Sequence, residues 1–274
     1  MPSSPVLTDA RFQAEMPHDQ TGAQVAVSGA TMTIGGTLTA TGVLFAIILA
    51  AGWFGWSQVV QTTQIVVDRF GNDVLDAAGN QTITNTTSFP SWLIIAMFVG
   101  LGVGLVTAFK PKIARITAPI YALAYGTVLG AISAVYNQSY NGIVVQAILA
   151  TLGVFFVMFV LYATRIVKVT PKFALMVICA TGGIAVMYLV SWIASIFGAD
   201  IAYWNEPSPL GIGISIVVVI VAALNLALDF NFIEKASQEG APKYMEWYGA
   251  FGVTVTIVWL YLEILRLLSL LRQN

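Results

Sequence analysis

Seven mostly apolar stretches of about 20 residues or more, the length a helix needs to cross a bilayer, fill most of this 274-residue chain. They lie at roughly 36–59, 91–109, 115–136, 142–164, 173–197, 209–234 and 244–271. In hydrocarbon every backbone polar group must find a partner inside the protein, so spans of this length are read as helices. The expected fold is all-α, a polytopic membrane protein with seven transmembrane helices. Composition agrees: 58% of residues are hydrophobic and 9% charged, where a soluble domain carries about a quarter charged residues. The mean hydropathy is +0.83.

The remaining segments give the organisation and the orientation. Residues 1–34 are polar and interrupted, without the basic start and cleavage site of a secretory signal. They are expected to be a disordered cytoplasmic tail ahead of a membrane domain over 35–272. The connection 60–90 is polar and rich in turn residues, an outer loop with room for a small hairpin. Lys110, Lys112, Arg115, Arg165, Lys168, Lys172, Lys235 and Lys243 all fall in alternate connections, while the opposite loops hold Arg69 with Asp68, Asp73, Asp76, Asp200 and Glu206. The positive-inside rule then places the N-terminus in the cytoplasm and the C-terminus outside. Three Asn-x-Ser/Thr tripeptides, at Asn80, Asn85 and Asn137, fall in outer segments.

Several function classes lose their support at this point. A formal net charge of −1 offers nothing to nucleic acid. Cys179 is the only cysteine and His18, in the tail, the only histidine, so neither a His/Cys metal site nor a Ser-His-Asp triad can be assembled. There is no HExxH pattern and no Gly-x-Gly-Asp around an intramembrane acid. Neither an enzyme nor a resident cofactor is expected. The run "GLGVG" at 100–104 follows no strand; with Gly126 and Gly130 it is read as small-residue packing faces on spans two and three.

Two acids interrupt apolar helix. Asp229 lies in "ALNLALDFNFIEK" and Glu263 in "WLYLEILRLLSLL". Even on a mild insertion scale an ionised carboxylate at the bilayer centre costs about 2.5 kcal/mol, so each needs a structural or functional reason. Asp229 is about 9 Å from Lys235 along a helix and could snorkel to the surface. Asn225, one turn back, instead continues a polar stripe into the bundle. Arg266, three residues after Glu263, can hold it as an ion pair. The functional alternative is a carboxylate whose charge changes near neutral pH, a pH switch on helix packing.

The stretches "AYGTVLGAISAVY" (124–136), "GIVVQAILATLGVF" (142–155), "VTPKFALMV" (169–177), "PLGIGISIVVVIVAALNLALDFNFIE" (209–234) and "GAPKYMEWYGAFGVTVTIVWLYLEILRLLSLL" (240–271), with "MTIGG" before the first span, resemble the bacterial branch of the Bax inhibitor-1 and YccA (TMBIM) family. The resemblance covers nearly all of 30–272. It implies six helices around a central hydrophobic seventh, residence in the bacterial inner membrane, and a pH-sensitive calcium leak whose sensor and gate are paired acids on helices six and seven. Asp229 matches the first of these and Glu263 the second. Many relatives carry Glu-Gly where this chain reads Tyr125-Gly126, so a third intramembrane acid is missing here.

Asp229 and Glu263 are 34 positions apart. In a simple hairpin turning near Gly240 their depths would differ by about 18 Å. Direct pairing then requires part of the connection to lie along the membrane surface, or a break in helix seven at Gly249 or Gly252. Two functional readings follow. One is a cation leak titrated at Asp229, in which Asp229 and Glu263 with Asn225 offer calcium a weak, transient site. The other is a non-conducting regulator that binds a membrane-anchored AAA protease, which implies a functional N-terminal tail.

Overall fold

The computed structural model describes residues 31–65, 83–88, 90–198 and 207–273. Within them seven helices are long and apolar enough to cross a bilayer, at the places where the hydropathy puts spans. They are α1 (Ile34–Ser57), α2 (Trp92–Phe109), α3 (Ala114–Ser139), α4 (Ile143–Ala163), α5 (Pro171–Ile196), α6 (Pro209–Gln238) and α7 (Met245–Gln273). Local chemistry sets their starts. Thr33, Thr170 and Ser208 are N-caps whose hydroxyls accept from Gly36, Phe173 and Gly211, and proline follows two of them at the first helical position. A single 3-10 turn, Pro111–Ile113, links α2 to α3.

The connection between α1 and α2 contains the hairpin it has room for. β1 (Val60–Ile65) pairs antiparallel with β2 (Ile83–Ser88), Val60 opposite Ser88 and Ile65 opposite Ile83. The membrane part is all helix.

The last helix is the centre of the bundle. It packs against α1, α3, α4 and α6, while α2 rests on α3 and α5 on α6. Single side chains complete the ring: the Tyr248 hydroxyl donates to Ala108 O on α2, and Tyr188 on α5 reaches Glu263. Over half of the apolar window of α7 is buried, against 11% for α5 and 17% for α2. The largest core cluster accordingly joins Leu226, Phe232 and Ile233 of α6 to Tyr248, Val253, Ile257, Leu260 and Ile264 of α7.

Glycine faces bring α1, α2 and α3 together. Gly126 and Gly130 lie against α1, where Gly52 and Gly55 answer them: a Cβ on Gly130 would overlap Gly52 O, and one on Gly55 would overlap Thr127 O. Gly100 and Gly104 receive the rings of Tyr125 and Tyr121, which stack at 4.6 Å. Gly102, the middle glycine of "GLGVG", has nothing near it. The run is therefore a helix surface, as its packing reading requires.

Of the segment expected to be a tail, residues 1–30 lie outside the described residues. The packed unit nonetheless begins before residue 35. Met32 is buried and donates its N–H to Ala241 O, because backbone pairing with the α6–α7 turn gives this stretch partners that no sequence pattern announces.

Candidate functional site

Helices α6 and α7 form an antiparallel hairpin around a short turn in which Gly240 adopts φ 72°, the left-handed conformation usual after a helix end. The α7 helix is unbroken from Met245 to Gln273, so neither Gly249 nor Gly252 interrupts it. Gly249 is instead a packing point, close to Ile233, Met32 and Thr37.

This geometry separates the two acids. Asp229 is fully buried, and its Oδ2 accepts a 2.6 Å hydrogen bond from Thr256 Oγ1 on the central helix. It turns inward and does not reach toward Lys235. Glu263 lies seven residues beyond Thr256, two turns or about 10 Å farther along α7. There its Oε1 accepts from the Tyr188 hydroxyl of α5 at 2.6 Å, and Arg266 Nη2 stands 2.9 Å from Oε2. The guanidinium also lies over the Tyr188 ring, 5.5 Å from its centroid. The ion pair meets by proximity, without hydrogen-bond alignment: Oε2 and Nη2 have no hydrogen-bond partner among the described residues.

Asn225 continues the Asp229 stripe one turn deeper. Its Nδ2 donates to Thr181 Oγ1 on α5 at 2.8 Å and to Val221 O at 2.9 Å. Its Oδ1 is buried with no hydrogen-bond partner among the described residues. The polar contacts of the two acids thus form separate groups. One part is Asn225, Asp229 and Thr256 between α5, α6 and α7; the other is Glu263, Arg266 and Tyr188, nearer the C-terminal end of α7. No group of three or more His, Cys, Asp or Glu stands close enough to hold a metal ion among the described residues.

A family model described as Bax inhibitor 1 like matches residues 4–273, essentially the whole chain. The chain belongs to the Bax inhibitor 1 like family. Neither a curated protein nor a solved structure matches it. In this Bax inhibitor 1 like protein the Tyr125 ring fills the space over Gly100.

Four polar residues in these contacts carry no mark in the sequence analysis above. Thr256 could have been found by folding the hairpin about residues 242 and 243, since 229 and 256 are equidistant from that point. Tyr188 and Thr181 carry no signal beyond being polar on a lipid-facing helix. At the basic end, Glu234 accepts from Tyr162 and Gln238 and pairs with Arg165. Arg165 has φ 59° just past the end of α4, where glycine is usual.

The Asp229–Thr256 bond makes a direct prediction. Thr256→Val removes the donor to the Asp229 carboxyl group and is expected to destabilise the folded protein by about 1–3 kcal/mol, the cost of taking a partner from a buried polar group. Thr254→Val serves as the control, because Thr254 Oγ1 donates only to Ala250 O of its own helix. Unfolding in detergent measures both; equal losses would show that the bond to Asp229 adds nothing.

Proposed function

We infer that this protein is a pH-sensitive cation leak, with calcium the expected ion, in which Asp229 is the group that titrates and Glu263 is a fixed structural anchor. The observation that carries this reading is the placement of Asp229: a carboxyl group with no exposed surface, two thirds of the way along α6, bonded to the neutral hydroxyl of Thr256 on the central helix. A change of charge at that point alters a contact between the two helices that form the middle of the bundle. Glu263 has the Arg266 guanidinium beside one oxygen and the Tyr188 hydroxyl on the other, contacts that fasten α5 to α7.

The donor set suits passage and not storage. Calcium takes six to eight oxygens, whereas Asp229, Asn225 Oδ1 and local carbonyls supply few, as conduction requires. The basic loops, Lys110 through Lys243, face the cytoplasm of a bacterial inner membrane in this reading, by the positive-inside rule.

The test is calcium flux into dye-loaded proteoliposomes between pH 6 and 8. The parent chain is expected to show flux that varies with pH, and Asp229→Asn to lose that variation. No flux above protein-free vesicles at any pH, from protein shown to be folded, would overturn the leak and leave the non-conducting regulator of an AAA protease as the reading to pursue.

A further inference from the structure

The N-terminal end of α7 is tied to α1 by an acid that the carboxylate site does not use. Glu246, the second residue of α7, is 7% exposed. Its Oε1 accepts from both the backbone N–H of Thr33, at 3.1 Å, and the Thr33 hydroxyl, at 2.9 Å. Thr33 is the N-cap of α1, so the carboxylate sits at the positive end of that helix. Gly36 makes the room, since a Cβ there would overlap the Glu246 carboxyl. One residue earlier, Met32 donates its N–H to Ala241 O at 2.6 Å and accepts from Ser237 Oγ at 3.5 Å. Thr31 pairs antiparallel with Pro242. Three consecutive residues therefore bind the last turn of α6, the α6–α7 turn and the first turn of α7.

The tie bears on the interior because α7 is continuous. Thr256 is ten residues beyond Glu246, about 15 Å along one unbroken helix, and a rigid helix carries an end displacement along its length.

We propose that Thr31–Thr33 is a strap that fixes the position of α7 against α1, so that undocking it lets the N-terminal end of α7 move and disturbs the Asp229–Thr256 contact. A pull on the chain ahead of residue 31 then acts on the interior through the strap. The effect on flux rests on the cation-leak reading, whereas the effect on α7 does not.

Hydrogen exchange of the full-length protein in detergent, followed by mass spectrometry of α7 peptides, tests the strap directly. Glu246→Ala is expected to raise exchange about tenfold or more across 245–256, the scale set by losing a charge-assisted bond, with α4 unchanged. A disulfide between Thr31→Cys and Pro242→Cys, in a Cys179→Ser background, should restore the slow exchange when formed in the Glu246→Ala chain. Cα atoms of antiparallel partners lie about 4.5–5.5 Å apart, inside the range a disulfide spans. Faster exchange confined to 31–36 and 241–246, or persisting after the crosslink forms, would overturn the proposal. In proteoliposomes Glu246→Ala should alter the pH-dependent flux, and the crosslink formed in that chain should restore the parent profile, lost again on reduction. A parent-like flux profile in Glu246→Ala from a conducting chain would also overturn the control of the site. If the parent conducts at no pH, the leak reading fails and the exchange experiment still decides the strap.

Discussion

Gly130→Leu is expected to prevent α1 from docking, leaving protein that aggregates or melts far below the parent when extracted in mild detergent. Where α1 crosses α3, backbone lies on backbone: a Cβ at Gly130 would already overlap the carbonyl of Gly52, and one at Gly55 the carbonyl of Thr127. Backbone atoms cannot swing aside as a side-chain tip can, so the helices must separate. In lipid no hydrophobic force drives them back together, because acyl chains are as apolar as the surface exposed, and close packing is what holds such a pair. Overpacking a core costs about 1–3 kcal/mol where neighbours can shift; here the cost should reach the top of that range or beyond. Gly102→Leu is the matched control, the same substitution at a helical glycine with nothing near it. Melting of the two variants within about a degree of each other would show that the crossing does not depend on these glycines.

Glu263→Ala is expected to cost about 3–5 kcal/mol, the penalty for leaving one member of a buried pair without its partner. Arg266 is 13% exposed at its side chain and the carboxylate 7%. With Glu263 gone, the guanidinium keeps the Tyr188 ring but loses the anion beside it. The same change releases α5. That helix is barely buried, and its polar ties to the bundle in the described residues are Thr181 to Asn225 and Tyr188 to Glu263. Replacing both members, Glu263→Leu with Arg266→Leu, should recover most of the loss, since apolar replacements of buried pairs are often neutral. A double-mutant cycle measures this coupling. Single and double variants of equal stability, with Tyr188→Phe silent, would make the pair a bystander. In a flux experiment Glu263 variants should therefore lower the amount of folded protein before they change any pH profile, whereas Asp229→Asn should change the profile itself.

Much of the architecture was legible because the bilayer imposes it. Hydrocarbon thickness sets span length, so the seven helices fall where the apolar runs are. Thr170-Pro171 and Ser208-Pro209 mark their starts through cap chemistry that needs no tertiary partner. The glycines on α3 announce a close approach but not its direction. Gly126 and Gly130 meet α1, and the answering Gly52 and Gly55 look in sequence like ordinary residues of "AAGWFGWS".

The sequence by itself determined that this is a seven-helix membrane protein of the Bax inhibitor 1 like family with two acids, Asp229 and Glu263, inside the apolar helices. Only the tertiary structure decided what those acids touch. Their separation along the chain left pairing open, because contact across a hairpin depends on the turn length, on the rotation of each helix and on whether α7 breaks. A connection over 239–244 and an unbroken α7 bring Asp229 level with Thr256 and carry Glu263 two turns past it, to Tyr188 and Arg266. Thr254 and Thr256 are indistinguishable in "VTVTIV", yet the first bonds its own backbone and the second the carboxylate. Helix rotation makes that difference, and rotation is set by packing against α1, α3, α4 and α6 together, which no local stretch of sequence encodes.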